Sequence, residues 1–248
     1  MASANATLDA IRSAFRAEPR LGPSFALTRI DQDRDGAVIL EGEVRTLAQK
    51  KLALLAAARV TPASAGIVDR IRRVPEADLG DRTLRARLRE MFAQDRDFAD
   101  IDVREDIAVG GTRTVFAPVA GAGGEARGRI DIEVESGIVT LNGFVPTLVR
   151  KRLAGAMAWS LDGVREVING LVVRPAEEDG PDQLEEAVRV VLERDHALDA
   201  AQVKAGVRKA VVRLTGLVRS EAQRMAAEED AWSVFGVDDV INEIEVRP

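Results

Sequence analysis

Hydrophobic and polar positions along this 248-residue chain follow two rhythms, and the pair of rhythms recurs three times. The first is helical. Leu8, Ile11, Ala14 and Phe15 share one face, as do Leu84, Leu88, Met91 and Phe92, and then Leu184, Ala187, Val188, Val191 and Leu192. The second has a period of two. Residues 36–44 read GAVILEGEV, 137–145 read GIVTLNGFV and 210–218 read AVVRLTGLV. Alternating runs at 25–31 and 130–135 precede the first two, which predicts hairpins around 33–36 and around Ser136-Gly137. The third repeat has Lys209-Ala210 at this point, a poorer turn pair, so its hairpin is expected to bend differently. Thr46, Thr147 and Ser220 then open a second helical stretch, over about 47–60, 148–161 and 221–235. Their hydroxyls suit the unpaired N–H groups at a helix start, and Asp81 and Asp182 are expected to cap the first helices in the same way. Gly66-Ile67, Gly163-Val164 and Gly236-Val237 lead into a last strand, at 67–74, 164–173 and 237–246.

The order in each repeat is α-β-β-α-β. This predicts an α+β chain of three tandem small two-layer domains, each with two helices packed on a three-stranded mixed sheet. The expected domains are 1–75, 76–175 and 176–248. Two departures stand out. Gly42 to Gly66 is 24 positions against 20 in the other repeats, with Pro62 ending the helix. Repeat two also carries an insertion at about 101–129. Its glycines suit a surface loop, or an extra hairpin around Gly110-Gly111 whose Val109, Val115, Phe116 and Val119 touch a partner or a neighbouring repeat.

Charge changes the picture more than bulk composition does. Residues 1–75 carry 12 basic and 8 acidic groups, net +4, whereas 176–248 carry 9 and 17, net −8. The overall charge of −6 disfavours a nucleic-acid partner, because backbone contact needs a basic surface. The gradient allows the first repeat to meet an anionic surface, or opposite ends of neighbouring molecules to attract, giving a homo-oligomer. With no cysteine, disulfides and thiolate chemistry are excluded. No stretch has the length of a transmembrane span and the start does not read as a secretory signal. The expectation is a cytoplasmic protein, peripheral at the inner membrane, or a periplasmic one where a signal sequence has been removed.

Candidate chemistry is thin. Residues 31–36, DQDRDG, imitate the start of a calcium loop, but Gly42 stands where the bidentate glutamate belongs, so a solvated turn is the better reading. His196 is the sole histidine and is expected to be exposed near a helix end. No serine lies in a nucleophile elbow, and GAGG at 121–124 lacks the lysine and hydroxyl of a phosphate loop. The acidic run at 177–179 reads as a linker. No catalytic, cofactor-binding or metal-binding residue is assigned. Arg150, Lys151 and Arg152, matched in repeat one by Lys50 and Lys51, open a helix whose dipole they oppose, which makes them candidates for an anionic ligand or lipid contact. Trp159 and Trp232 are expected to pack against their sheets.

The GxVxLxG pattern followed by a helix and then GV..V.N resembles the BON domain family. Repeat two shows it as residues 137–143 and then 162–169, DGVREVIN; repeat three as 211–216 and then 236–242, GVDDVIN. Repeat one keeps 36–42 and Gly66-Ile67, with Arg72 where the others have asparagine. Gly42, Gly143 and Gly216 are read as strand bends, Gly66, Gly163 and Gly236 as helix exits, and Asn169 and Asn242 as ties to a neighbouring backbone. The resemblance implies a non-catalytic bacterial protein of envelope or stress maintenance. It would be a binding scaffold for anionic phospholipid or a membrane-associated partner. Alternative readings are a self-assembling or protein-binding module without lipid, and a small-molecule sensor.

Overall fold

The structure, a computed structural model, describes residues 2–109, 112–116 and 126–247, and side chains over 5–105 and 126–247. It divides into two compact units, 1–74 and 75–248.

The first unit holds α1 (Ala2–Ala17), β1 (Arg29–Gln32), β2 (Val38–Val44), α2 (Leu47–Val60) and β3 (Ile67–Arg73). β1 and β2 pair antiparallel, β2 and β3 parallel, giving the three-stranded mixed sheet in the order β1-β2-β3. Ile11, Phe15, Leu21, Val38, Leu40, Ala53, Ala57 and Ile71 fill the space between helices and sheet. Thr46 caps α2, accepting from the Gln49 amide. The calcium-like stretch is a side-chain-stapled turn: Asp33 Oδ1 accepts from the Asp35 and Ala37 amides at 2.9 and 2.8 Å, and Asp31 pairs with Arg29.

In the second unit come α3 (Asp81–Gln94), β4 (Ile101–Val109), β5 (Thr112–Phe116), β6 (Gly128–Glu135), β7 (Ile138–Val145), α4 (Leu148–Trp159), β8 (Glu166–Asn169) and β9 (Val172–Val173). The third repeat follows in the same unit as α5 (Pro181–Arg194), β10 (Val203–Arg208), β11 (Val211–Val218), α6 (Glu221–Ser233) and β12 (Asp239–Val246). Its sheet is again three-stranded, β10-β11-β12, with the last pair parallel. The α-β-β-α-β order is therefore present three times, with helices on small mixed sheets.

Repeat two enlarges the scheme. Of the two readings of the insertion, the extra hairpin is the one seen, formed by β4 and β5. β4 runs parallel to β6, with Ile101 and Val103 buried in the core, and β5 folds back on β4 with Val109 opposite Thr112. The sheet thus runs β5-β4-β6-β7-β8, with β9 continuing the last strand beside β7. The side chains of Val109, Val115, Phe116 and Val119, and the glycines of 121–124, lie outside the described residues.

Three local expectations are corrected. Asp81 is the first residue of α3 and caps a different element: its carboxylate accepts from the Ser136 and Gly137 amides, both at 2.8 Å, and so pins the β6–β7 turn. Asp182 likewise lies inside α5, after Gly180 and Pro181. The Lys209-Ala210 turn does not bend differently. Its φ angles of 51° and 61° match the 54° and 75° of Ser136-Gly137, so the hairpin geometry overrides the local preference of Lys and Ala. A feature not read from sequence also recurs. After each first helix a 3-10 turn begins at an acid, Glu18, Asp95 or Asp199, whose carboxylate accepts the amide two residues on.

Candidate functional site

The strand ladders fix which residues correspond between repeats. Leu40 pairs with Asp69, Leu141 with Asn169 and Leu214 with Asn242. Asp69, not Arg72, is therefore the counterpart of the two asparagines. Gly66 lies three residues before it, whereas Gly163 and Gly236 lie six before theirs, so Gly66 is not their equivalent. Measured on this register the repeats differ in this stretch by one residue, 27 against 26 from the strand glycine to the tie residue. The local Gly-Ile pattern misleads because the ladder, not the dipeptide, sets alignment.

The tie itself is a joint of helix, last strand and strand edge. Asn169 donates to the Lys151 carbonyl at 2.7 Å and accepts from the Leu171 amide at 3.3 Å. Asn242 donates to the Arg224 carbonyl at 3.0 Å and accepts from the Ile244 amide at 3.2 Å. Asp69 keeps the second bond, accepting from the Ile71 amide at 2.8 Å. It has no amide to donate, so Lys50 supplies the link from the helix. Its ammonium is buried, 2.6 Å from Asp69 and 2.6 Å from the Ile71 carbonyl. Gly143 and Gly216 serve another close approach. A Cβ would stand 2.2 Å from the Arg129 carbonyl oxygen in one and 1.9 Å from that of Gln202 in the other. A Cβ at Gly42 would stand 3.0–3.1 Å from Thr28 and Leu27, and this glycine has no positive φ.

The predicted cations are thus placed by internal partners. Lys50 is enclosed as described, and Lys51 beside it on α2 is half-buried. Arg150 pairs with Asp100 at 2.7 Å, and the Lys151 ammonium lies 5.7 Å from the Phe235 ring centre. Arg152 is 3% exposed. Its Nη2 reaches both Asp179 oxygens at 2.7 and 2.9 Å, and its Nε donates to the Phe235 carbonyl at 2.9 Å. The acidic stretch at 177–179 is more than a linker. Glu177 accepts the Leu148 amide at 2.7 Å, and Asp179 completes the arginine. These two carboxylates offset the basic charge at the start of α4. A second cross-repeat pair joins Arg194 of α5 to Asp95 and Asp97 after α3.

His196 is exposed just past α5, as its position predicts. Trp232 is buried and Trp159 half-buried. Asp230 of α6 has its carboxyl pushed up to about 8, by burial first and then by the neighbouring Asp195 and Glu229 carboxylates. Among the described residues no group of three His, Cys, Asp or Glu side chains could hold a metal ion. None of the helices, within those residues, is long and apolar enough to cross a membrane.

One cavity combines an apolar, aromatic lining with two arginines. In the first unit a groove of about 570 Å³ opens between α1, the turn Pro19–Leu21 and the run into β1. Phe15, Phe25, Leu27 and Ile30 line it, with the two phenylalanine rings edge-on at 5.4 Å. Arg12, which pairs with Asp9 at 3.0 Å on the surface, and Arg16 also line it and are exposed. Glu18, the acid in its lining, is held below the usual carboxylate range by its hydrogen bonds with Arg20. Sequence reading missed this groove because its residues are not repeated in the other two copies.

Comparison with known proteins agrees with the architecture. The BON domain profile matches residues 5–75, 115–175 and 181–248. Osmotically-inducible protein Y of Escherichia coli (strain K12) is 31% identical over 124 residues, 48% of this chain and 62% of that protein, so the alignment spans less than two thirds of it. Two solved structures of CdsD, a structural protein of the type III secretion system of Chlamydia trachomatis, align over 97% of this chain and over 96% and 92% of their own. Both do so at 14% identity and a TM-score of 0.25, too low to bear on this fold. With three profile matches over most of its length, and three copies of the α-β-β-α-β unit, the chain belongs to the BON domain family.

Proposed function

We propose that the protein is a non-catalytic scaffold that binds anionic phospholipid through the groove of its first unit. The observation that carries this reading is the groove itself: an apolar, aromatic floor large enough for part of an acyl chain, with the exposed Arg12 and Arg16 in its lining. An anionic amphiphile satisfies both features at once, burying hydrocarbon against Phe15 and Phe25 while its head group meets the guanidinium groups. The net charge of +4 over residues 1–75 supports it by drawing the unit to an anionic surface. Family membership supports the non-catalytic part. The name of the E. coli relative supports a role under osmotic stress.

The reading replaces the cation set picked from sequence with a different one. Lys50 and Arg152 are committed to internal pairs, and exposing either would leave Asp69 or Asp179 without its partner. Flotation of the full chain with phosphatidylcholine vesicles, with and without phosphatidylglycerol, tests it. Binding is expected only with the anionic lipid, and it should weaken as salt rises. Equal failure to float with both vesicle types at low salt would overturn it.

A further inference from the structure

α4 and α6 are the same helix of two successive repeats, and their caps set a common register. Thr147 accepts the Arg150 amide and Ser220 the Gln223 amide, three residues on in each case. The asparagine ties reach Lys151 and Arg224, again at matching positions. Val149, Arg152, Leu153, Ala156 and Met157 of α4 therefore correspond to Ala222, Met225, Ala226, Glu229 and Asp230 of α6. On α4 the last four are all buried, because α5 and the Phe235-Gly236 corner of the next repeat lie over that face. On α6 Ala222 is exposed and Met225 is 56% exposed, while Ala226, Glu229 and Asp230 are half-buried, Asp230 beside Asp195 at the end of α5. A face that holds the following repeat in one copy is thus open over its first turns, at Ala222 and Met225, in the third.

We infer that this α6 face receives the first unit of a second copy of the chain, so that molecules associate head to tail. Charge selects that occupant. The acceptor lies in residues 176–248, net −8, with Glu221, Glu228 and Glu229 on α6. The first unit carries net +4, and its α1 exposes the small residues Ala6, Ser13 and Ala17 for close helix approach beside Arg12 and Arg16. Met225 supplies an unbranched apolar anchor in the place of Arg152. The contact joins two different surfaces, so each joined pair keeps a free acceptor and a free donor and grows into open chains or larger rings.

Sedimentation velocity of the full chain over a concentration series tests this, at about 0.05 M and about 0.5 M salt. Species larger than dimers are expected to grow with concentration at low salt and to shrink at high salt. Met225→Arg, and separately Ala222→Arg, should each weaken association about tenfold or more. Ile241→Arg adds the same charge at an exposed position on β12 of the same repeat and should leave association unchanged. Circular dichroism checks that each variant keeps its helices. A monomer at every concentration, a dimer that does not grow, or equal loss in the α6 and Ile241 variants would overturn the inference. The inference goes beyond the lipid reading. Met225→Arg should still float with anionic vesicles, so each idea can fail alone.

Discussion

Repeats two and three make the same fold with the same capped second helix, yet the face of α4 around Arg152 is enclosed while the matching face of α6 is open at Ala222 and Met225. The difference shows most clearly at one position. Arg152 in α4 passes under the Phe235-Gly236 corner, where a Cβ on Gly236 would already stand 3.1 Å from its Nη2. Met225 in α6 meets solvent. The comparison teaches that in a tandem array the repeat pattern specifies each sheet, while departures from the pattern specify what each sheet is attached to. Three acceptor oxygens, the Phe235 carbonyl and both oxygens of Asp179, converge on the Nε and Nη2 of this buried guanidinium, and Asp179 itself remains half in water.

The largest expected effect follows from removing that attachment. Arg152→Ala should lower the stability of the second unit by about 2–3 kcal/mol, through lost packing and an orphaned Phe235 carbonyl. Asp179→Ala should cost less, since its carboxylate is more exposed, and the double variant should cost less than the sum. Urea unfolding of the four proteins measures this. Additive losses would mean that the pair does not join the repeats.

A smaller effect concerns the α6 side. Asp230 has a folded-state pKa of about 8 against an ordinary 3.8, so folding takes up a proton between these values. The sign follows: its contribution is most favourable below about pH 4 and is lost as pH rises through 8. Asp230→Asn should therefore be more stable than the parent by about 1–2 kcal/mol at pH 9, with the gap closing near pH 4. Thermal melts across pH read it. A gap that widens on acidification would contradict the assignment. In repeat two the same position is Met157, which has no such dependence.

The smallest effect separates the two hairpins. Ala210 holds a left-handed φ of 61° where repeat two has Gly137. Ala210→Gly should stabilise by about 0.5–1 kcal/mol, the Cβ strain outweighing the entropy glycine adds to the unfolded chain. Equal or lower stability in urea would show that the turn is relaxed.

Much of the fold was legible in the sequence because it depends on local rules. Helical spacing, the hydroxyl caps at Thr46, Thr147 and Ser220, and the Ser-Gly turn each act within a few residues. The misreadings arose where a distant partner decides. Gly66 and Arg72 took their assigned places from a dipeptide match, whereas the β2–β3 ladder puts Asp69 in the tie. The glycine pair at 110–111 marked the β4–β5 hairpin, but no local signal showed that Ile101 and Val103 of β4 are core residues. The candidate cations were chosen for clustering in sequence. Lys50, Arg150 and Arg152 find their carboxylates 19, 50 and 27 residues away, a separation no periodicity reports. The groove of the first unit needed Phe15 and Phe25 brought together by a 3-10 turn that the pattern does not announce.

The proposed division of labour, ligand binding in the first unit and internal attachment in α4, is tested most directly by vesicle flotation of two charge reversals side by side. With vesicles containing phosphatidylglycerol, Arg12→Glu/Arg16→Glu should lose most of the bound fraction, while Arg150→Glu should float like the parent protein. Loss of flotation in Arg150→Glu with the groove variant unaffected would contradict the account and return the lipid contact to α4.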